Sequence, residues 1–155
     1  MIGRLKTMLR QLEQGAGSTS DAPDEEAMRL AASALLVETA IMDGHFDDRE
    51  RATIQRLLGA RFSLKAEDAA TLVAEAEQAV GESHQLFRFT KGINDHFSAE
   101  QRVELMEMLW EVAYSDGVLD DYEENLLRRI AGLIYVTDRD RGLTRNRVRA
   151  RLGLD

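Results

Sequence analysis

Cysteine is absent from this chain of 155 residues. Disulfides, thiolate metal sites and thiol catalysis are thereby excluded, and the chain suits a reducing, cytoplasmic setting. Proline occurs once, at Pro23. β-Branched residues are sparse, and no stretch alternates apolar with polar residues as a half-buried strand would. No apolar run approaches the ~18 residues of a membrane span, and the N-terminus lacks the apolar core and small-residue cleavage site of a signal peptide. Catalytic motifs are missing too. There is no HExxH, no Walker A sequence and no Gly-x-Gly-x-x-Gly, and no Gly-x-Ser-x-Gly. The three histidines, His45, His84 and His96, do not pair at a helical ligand spacing. The expectation is a protein that is not an enzyme.

What remains is helical composition. Alanine, leucine, glutamate and arginine dominate. A hydrophobic fraction of 44% and a charged fraction of 31% describe a folded chain, long enough to bury a core without staples. The net charge of −8 is uneven: residues 15–137 carry −13, while Arg139, Arg141, Arg145, Arg147, Arg149 and Arg151 make the C-terminal end basic. An acidic centre repels phosphate backbones, which argues against a nucleic-acid partner. The arginine-rich end reads as a basic helix that neutralises the acidic body, in preference to a site for nucleic acid or anionic lipid.

Hydrophobic periodicity divides the chain. Residues 1–14 form an amphipathic helix with Ile2, Leu5, Met8, Leu9 and Leu12 on one face and Arg4, Lys6 and Arg10 around it. Residues 15–23, rich in Gly and Ser, read as a flexible linker. A helix so short and so modestly charged is a weak peripheral membrane anchor, so Ile2, Leu5, Leu9 and Leu12 are expected to bind a protein surface. Residues 24–155 make an all-α domain of about seven helices. The first reaches about Met42, with Pro23 in its opening turn. The second starts at Asp47 and is stopped by Gly59. Two more cover about 65–80 and 84–96. Ser98 caps the fifth, with Glu100 and Gln101 in its first turn; the sixth runs from Asp120 to about Ile134, and Thr137 caps the last.

The chain also contains a repeat. Residues 38–50 and 111–123 share Glu38/Glu111, Ala40/Ala113, Asp43/Asp116, Gly44/Gly117, Asp47/Asp120, Asp48/Asp121 and Glu50/Glu123, seven of thirteen positions at an offset of 73. Weaker matches, among them Ile54/Leu127 and Gly59/Gly132, extend it. The identities fall at the same place in the same helix–loop–helix, which implies duplicated halves at about 26–60 and 99–135. Turn chemistry accounts for much of the motif. Gly follows a helix end, Asp caps the next helix, and Glu three residues on completes a capping box. Asp43 and Asp116, with Glu38 and Glu111 a turn earlier, instead place negative charge at the negative end of a helix. A carboxylate cluster of that kind calls for a cation or a basic partner. Oxygen donors suit Ca²⁺ or Mg²⁺, with a nitrogen from His45 in the first half. Three readings follow for Glu38, Asp43, Asp47, Glu50, Glu111, Asp116, Asp120 and Glu123: caps alone, ligands of a divalent cation, or a docking face for a basic partner.

The repeated Glu-x-Ala-x-x-Asp-Gly-x-x-Asp-x-x-Glu, with Leu-Trp-Glu-Val-Ala-Tyr-Ser-Asp-Gly at 109–117, resembles the TerB-like tellurite-resistance family of bacteria, domains similar to which occur in membrane-anchored DnaJ-like cochaperones. The resemblance covers roughly residues 26–137. It is closest in the second half, at Phe89-Thr90, Arg102, Trp110, Ala113, Asp116-Gly117, Glu123 and Leu127 to Ala131. It implies a compact helical bundle with pseudo-two-fold halves, a role in stress response, no established catalysis, and metal binding through Glu38, Asp43, Glu50, Glu111, Asp116 and Glu123. The arginine-rich tail departs from the family pattern.

Overall fold

The computed structural model describes residues 25–44, 46–82, 87–115 and 119–154. The expected helix at 1–14 with Ile2, Leu5, Leu9 and Leu12, the linker at 15–23, Pro23, His45, His84, Asp116 and Gly117 lie outside them. The described residues form seven helices and no strand: α1 (Glu25–Met42), α2 (Asp48–Phe62), α3 (Ala66–Glu82), α4 (Arg88–His96), α5 (Ala99–Ala113), α6 (Asp121–Leu133) and α7 (Asp138–Arg151). Among these residues no helix is long and apolar enough to cross a membrane.

Local chemistry sets most of the boundaries. Ser98 and Gln101 close a reciprocal capping box at the start of α5, Asp120 and Glu123 do the same for α6, and the Thr137 hydroxyl accepts from Asp140 N for α7. Asp47 caps α2 by accepting from Arg49 N at 3.0 Å and Glu50 N at 3.1 Å. Gly59 does not stop α2, contrary to the expectation. The helix continues to Phe62 and ends with Ser63 in the left-handed region at φ 55°. A Cβ at Gly59 would meet the Leu64 carbonyl oxygen at 3.4 Å and the Ala69 Cβ at 3.7 Å, ordinary contact distances beside the start of α3.

The core is continuous. In α1 every residue from Ala31 to Ala40 is buried, as befits a helix surrounded by others; it touches α2, α3, α4, α5 and α6. Trp110, Phe89, Leu35, Leu58, Leu109 and Ile130 are among the largest side chains fully enclosed.

The contacts also express the duplication. Helices α1–α3 make one half and α5–α7 the other, with α4 between them. α1 packs on α6 of the other half, α5 packs on α2, and α1 meets α5. That exchange of contacts is what a pseudo-two-fold axis requires. The repeat also extends beyond 26–60 and 99–135 to a third helix in each half. The second helices end alike: Ser63 at φ 55° and Tyr135 at φ 60° are both left-handed, with Leu64 N donating to Gly59 O and Val136 N to Ala131 O, each at 2.9 Å. These pairs are 72 residues apart, one fewer than the offset of the turns.

Candidate functional site: the paired acidic turns

The turn between α1 and α2 is built by Gly44, at φ 77°, whose N–H donates to Ile41 O at 3.0 Å. Glycine reaches this conformation without a Cβ penalty. The described part of its counterpart begins with Ser115, whose N–H donates to Val112 O at 3.1 Å. Each turn is tied to the opposite half. The Ser115 hydroxyl donates to Leu57 O on α2 at 3.3 Å, and Arg129 on α6 lies 3.6 Å from Asp43.

Tyr122, at the start of α6, is half-buried. Its hydroxyl pKa is pushed up to about 12, first by burial and then by the negative charges of Asp43, Asp47, Asp120 and Glu123. Two of those carboxylates come from each half, so the fold brings the two turns to one place.

The remaining residues of the predicted set divide. Glu38 does not face the turn. It is 1% exposed and caps α4 from 51 residues away, accepting from Phe89 N at 2.8 Å, Thr90 N at 3.0 Å and the Thr90 hydroxyl at 2.8 Å. α4 needs this acceptor, because Phe87 at its N-cap is left-handed and offers no side-chain bond. Burial is the main influence on the Glu38 carboxyl and raises its pKa; the three hydrogen bonds oppose it. Glu111, at the equivalent position of the repeat, has a different task. It accepts from Arg61 at 3.0 Å and Arg151 at 2.9 Å, joining α2 and α7 to α5.

Glu50 and Glu123 also differ. Glu123 closes its capping box by accepting from Asp120 N at 3.4 Å, whereas one carboxylate oxygen of Glu50 is buried without a hydrogen-bond partner. Asp116 and His45 lie outside the described residues. Among the described residues no three His, Asp or Glu side chains gather closely enough to hold a metal ion.

Tyr122, Arg129 and the Glu38–Thr90 link were not singled out from the sequence. A signal for the last exists: Phe87-Arg88-Phe89-Thr90 opens a helix with no capping side chain, and such a start needs an acceptor from elsewhere. The arginine-rich helix behaves as its composition suggested. Arg147 and Arg151 meet Glu107 at 2.6 and 2.7 Å, and Arg145 lies 3.6 Å from Glu124.

The family model described as tellurite resistance protein TerB matches residues 29–146, which spans both halves, both turns and most of α7. No curated protein and no solved structure matches the chain.

Proposed function

Because the chain belongs to the TerB tellurite-resistance family, we propose that it is a non-catalytic, tellurite-resistance-like module of the stress response whose paired turns are structural first and a docking face for a cationic protein segment second. The observation that supports this reading is the engagement of the turn carboxylates. Asp47, Asp120 and Glu123 start helices, and Asp43 pairs across the halves. Asp48 and Asp121 stay exposed beside those caps and give the face its outward negative charge. A lysine-rich helical peptide is the probe. Binding to the full chain should be lost in the double variant Asp48→Lys, Asp121→Lys, with the helical circular-dichroism spectrum unchanged. Equal binding by that variant, or none by the unaltered chain, overturns the reading.

A second reading rests on the convergence of Asp43, Asp47, Asp120 and Glu123 on Tyr122. Two turns of like charge held together attract a divalent cation that keeps its waters, as Mg²⁺ readily does. An ion bound by the native state alone stabilises it by about 1.4 kcal/mol at roughly ten times its Kd. Melting curves with and without millimolar Mg²⁺ or Ca²⁺ test this. A melting temperature that does not move, and a calorimetric titration without heat, would discard the ion.

A further inference from the structure

Tyr135 occupies a position that disfavours it. It turns the chain at the end of α6, with φ 60°, and Val136 N donates back to Ala131 O at 2.9 Å. Glycine suits such a turn, because a Cβ is crowded in the left-handed region. The neighbours Ile134 and Val136 are buried and hold the turn in place, whereas Tyr135 is 74% exposed, the most exposed large hydrophobic side chain among the described residues. The equivalent turn of the first half has the small Ser63 instead.

Gly132 breaks the opposite rule. It lies inside α6, where a Cβ would meet nothing within 4 Å, so alanine would fit and would favour the helix. α6 thus has a glycine where a side chain would strengthen it, and a side chain where glycine would relax the turn. Neither choice serves folding, and residues that break local rules without a gain in stability mark functional surfaces. Together they leave bare helix backbone beside an uncovered aromatic ring.

The charge at this corner has one sign. The last two turns of α6 carry Arg128 and Arg129 and no acid. Their side chains are 60% and 54% exposed, and their ion pairs with Glu124 and Asp43 are long, at 3.6 Å each. Pairs of that kind contribute little and are readily exchanged. Arg128 and Gly132 lie one turn apart on one face of the helix.

We propose that this corner docks an acidic protein segment, with carboxylates of the segment on Arg128 and Arg129 and an apolar side chain packed over Gly132 against the Tyr135 ring. A guanidinium takes a carboxylate in two parallel hydrogen bonds, and interface energy concentrates on tyrosine and arginine. A membrane or a nucleic acid fits less well, because a chain of net charge −8 repels an extended anionic surface, while a single segment reaches the corner alone. The acidic turns lie at the other end of α6, about 20 Å away along the helix, so this surface is independent of what they bind.

The test titrates the full chain against a fluorescent glutamate-rich peptide with a single leucine. Binding should weaken as salt is added. Tyr135→Gly should weaken it by about thirtyfold, the loss that marks a central aromatic contact, and the melting temperature should stay or rise. Gly132→Gln should also weaken binding and raise the melting temperature. Asp48→Lys with Asp121→Lys should leave binding intact, which separates this corner from the acidic turns. No binding by the unaltered chain, or equal binding by Tyr135→Gly, overturns the proposal. A lower melting temperature in Tyr135→Gly would give the side chain a structural role and overturns it as well. So does tighter binding to phosphatidylserine vesicles than to the peptide, or sedimentation in which the unaltered chain self-associates and Tyr135→Gly does not, which would make a second copy the occupant.

Discussion

The third helices of the two halves occupy related places and are held there by different forces. α3 buries Ala69, Leu72, Val73, Ala76, Ala79 and Val80. α7 buries only Thr144 and Val148. In place of an apolar seam, α7 uses Arg147 and Arg151 on Glu107, Arg151 on Glu111, and Arg145 on the Tyr114 hydroxyl at 2.8 Å, with the Arg145 guanidinium 5.3 Å from the centre of the Trp110 ring. The Trp110 indole N–H also donates to Arg141 O at 3.1 Å. Related helices can thus both pack on the first helix of their half while hydrophobic burial is exchanged for charge pairing. The exchange leaves the second half more sensitive to its solvent. Apolar burial responds little to salt, whereas ion pairs that reach the surface are screened by it.

The comparison is broken most readily at α3. Leu72→Ala should lower the unfolding free energy by about 2–5 kcal/mol, the range for a buried leucine that leaves a cavity, and urea melts at low and high salt should give the same loss. A value that depends strongly on salt would remove the distinction between the halves. A middle-sized effect separates the two equivalent glutamates. Glu38→Gln leaves a buried N–H of α4 without its acceptor and should cost about 1–3 kcal/mol, seen as faster amide exchange at Phe89 and Thr90. Glu111→Gln, whose partners are partly exposed, should cost about 1 kcal/mol or less. The smallest effect is at α7. Arg151→Ala should cost roughly 0–1 kcal/mol at low ionic strength, and the difference should vanish in molar salt, where the screening length is about 3 Å. Persistence of the full cost in molar salt would mean that the aliphatic stem of Arg151 acts by packing.

Where neighbours along the chain determine the structure, most of the helix starts were legible, although Glu50 does not close the capping box with Asp47 that its spacing implied. Ser98 with Gln101, Asp120 with Glu123, and Thr137 start their helices as spacing and residue type indicated, since each cap joins groups three positions apart. The twin turns were legible because their identities share one offset. The third helices were not recognised as a related pair, because the spacing falls from 73 to 72 between the turns and Ser63/Tyr135, and because α7 has replaced apolar residues by arginine. Gly59 misled because a glycine inside a helix looks the same in sequence whether or not it ends the helix; the left-handed conformation that ends α2 is taken by Ser63. For the candidate site, the acidic residues were identified but not their division of labour. Glu38 and Glu111 match in the repeat, yet their partners lie 51 or 52 residues away in one case and 50 and 40 in the other. No local pattern reports such distances.

The crossing of α1 onto α6 and of α5 onto α2 has a consequence for ancestry. Neither leading helix finds its full apolar surroundings within its own copy of the motif. A forebear with only one copy would have presented a bare strip of leucine and alanine along that helix, and two such molecules could have covered each other's strips in a symmetric pair. On that account, fusing the copies through the stretch that includes α4 made a partnership between molecules permanent within one. Each copy was then free to diverge on its outer side, where α7 carries six arginines.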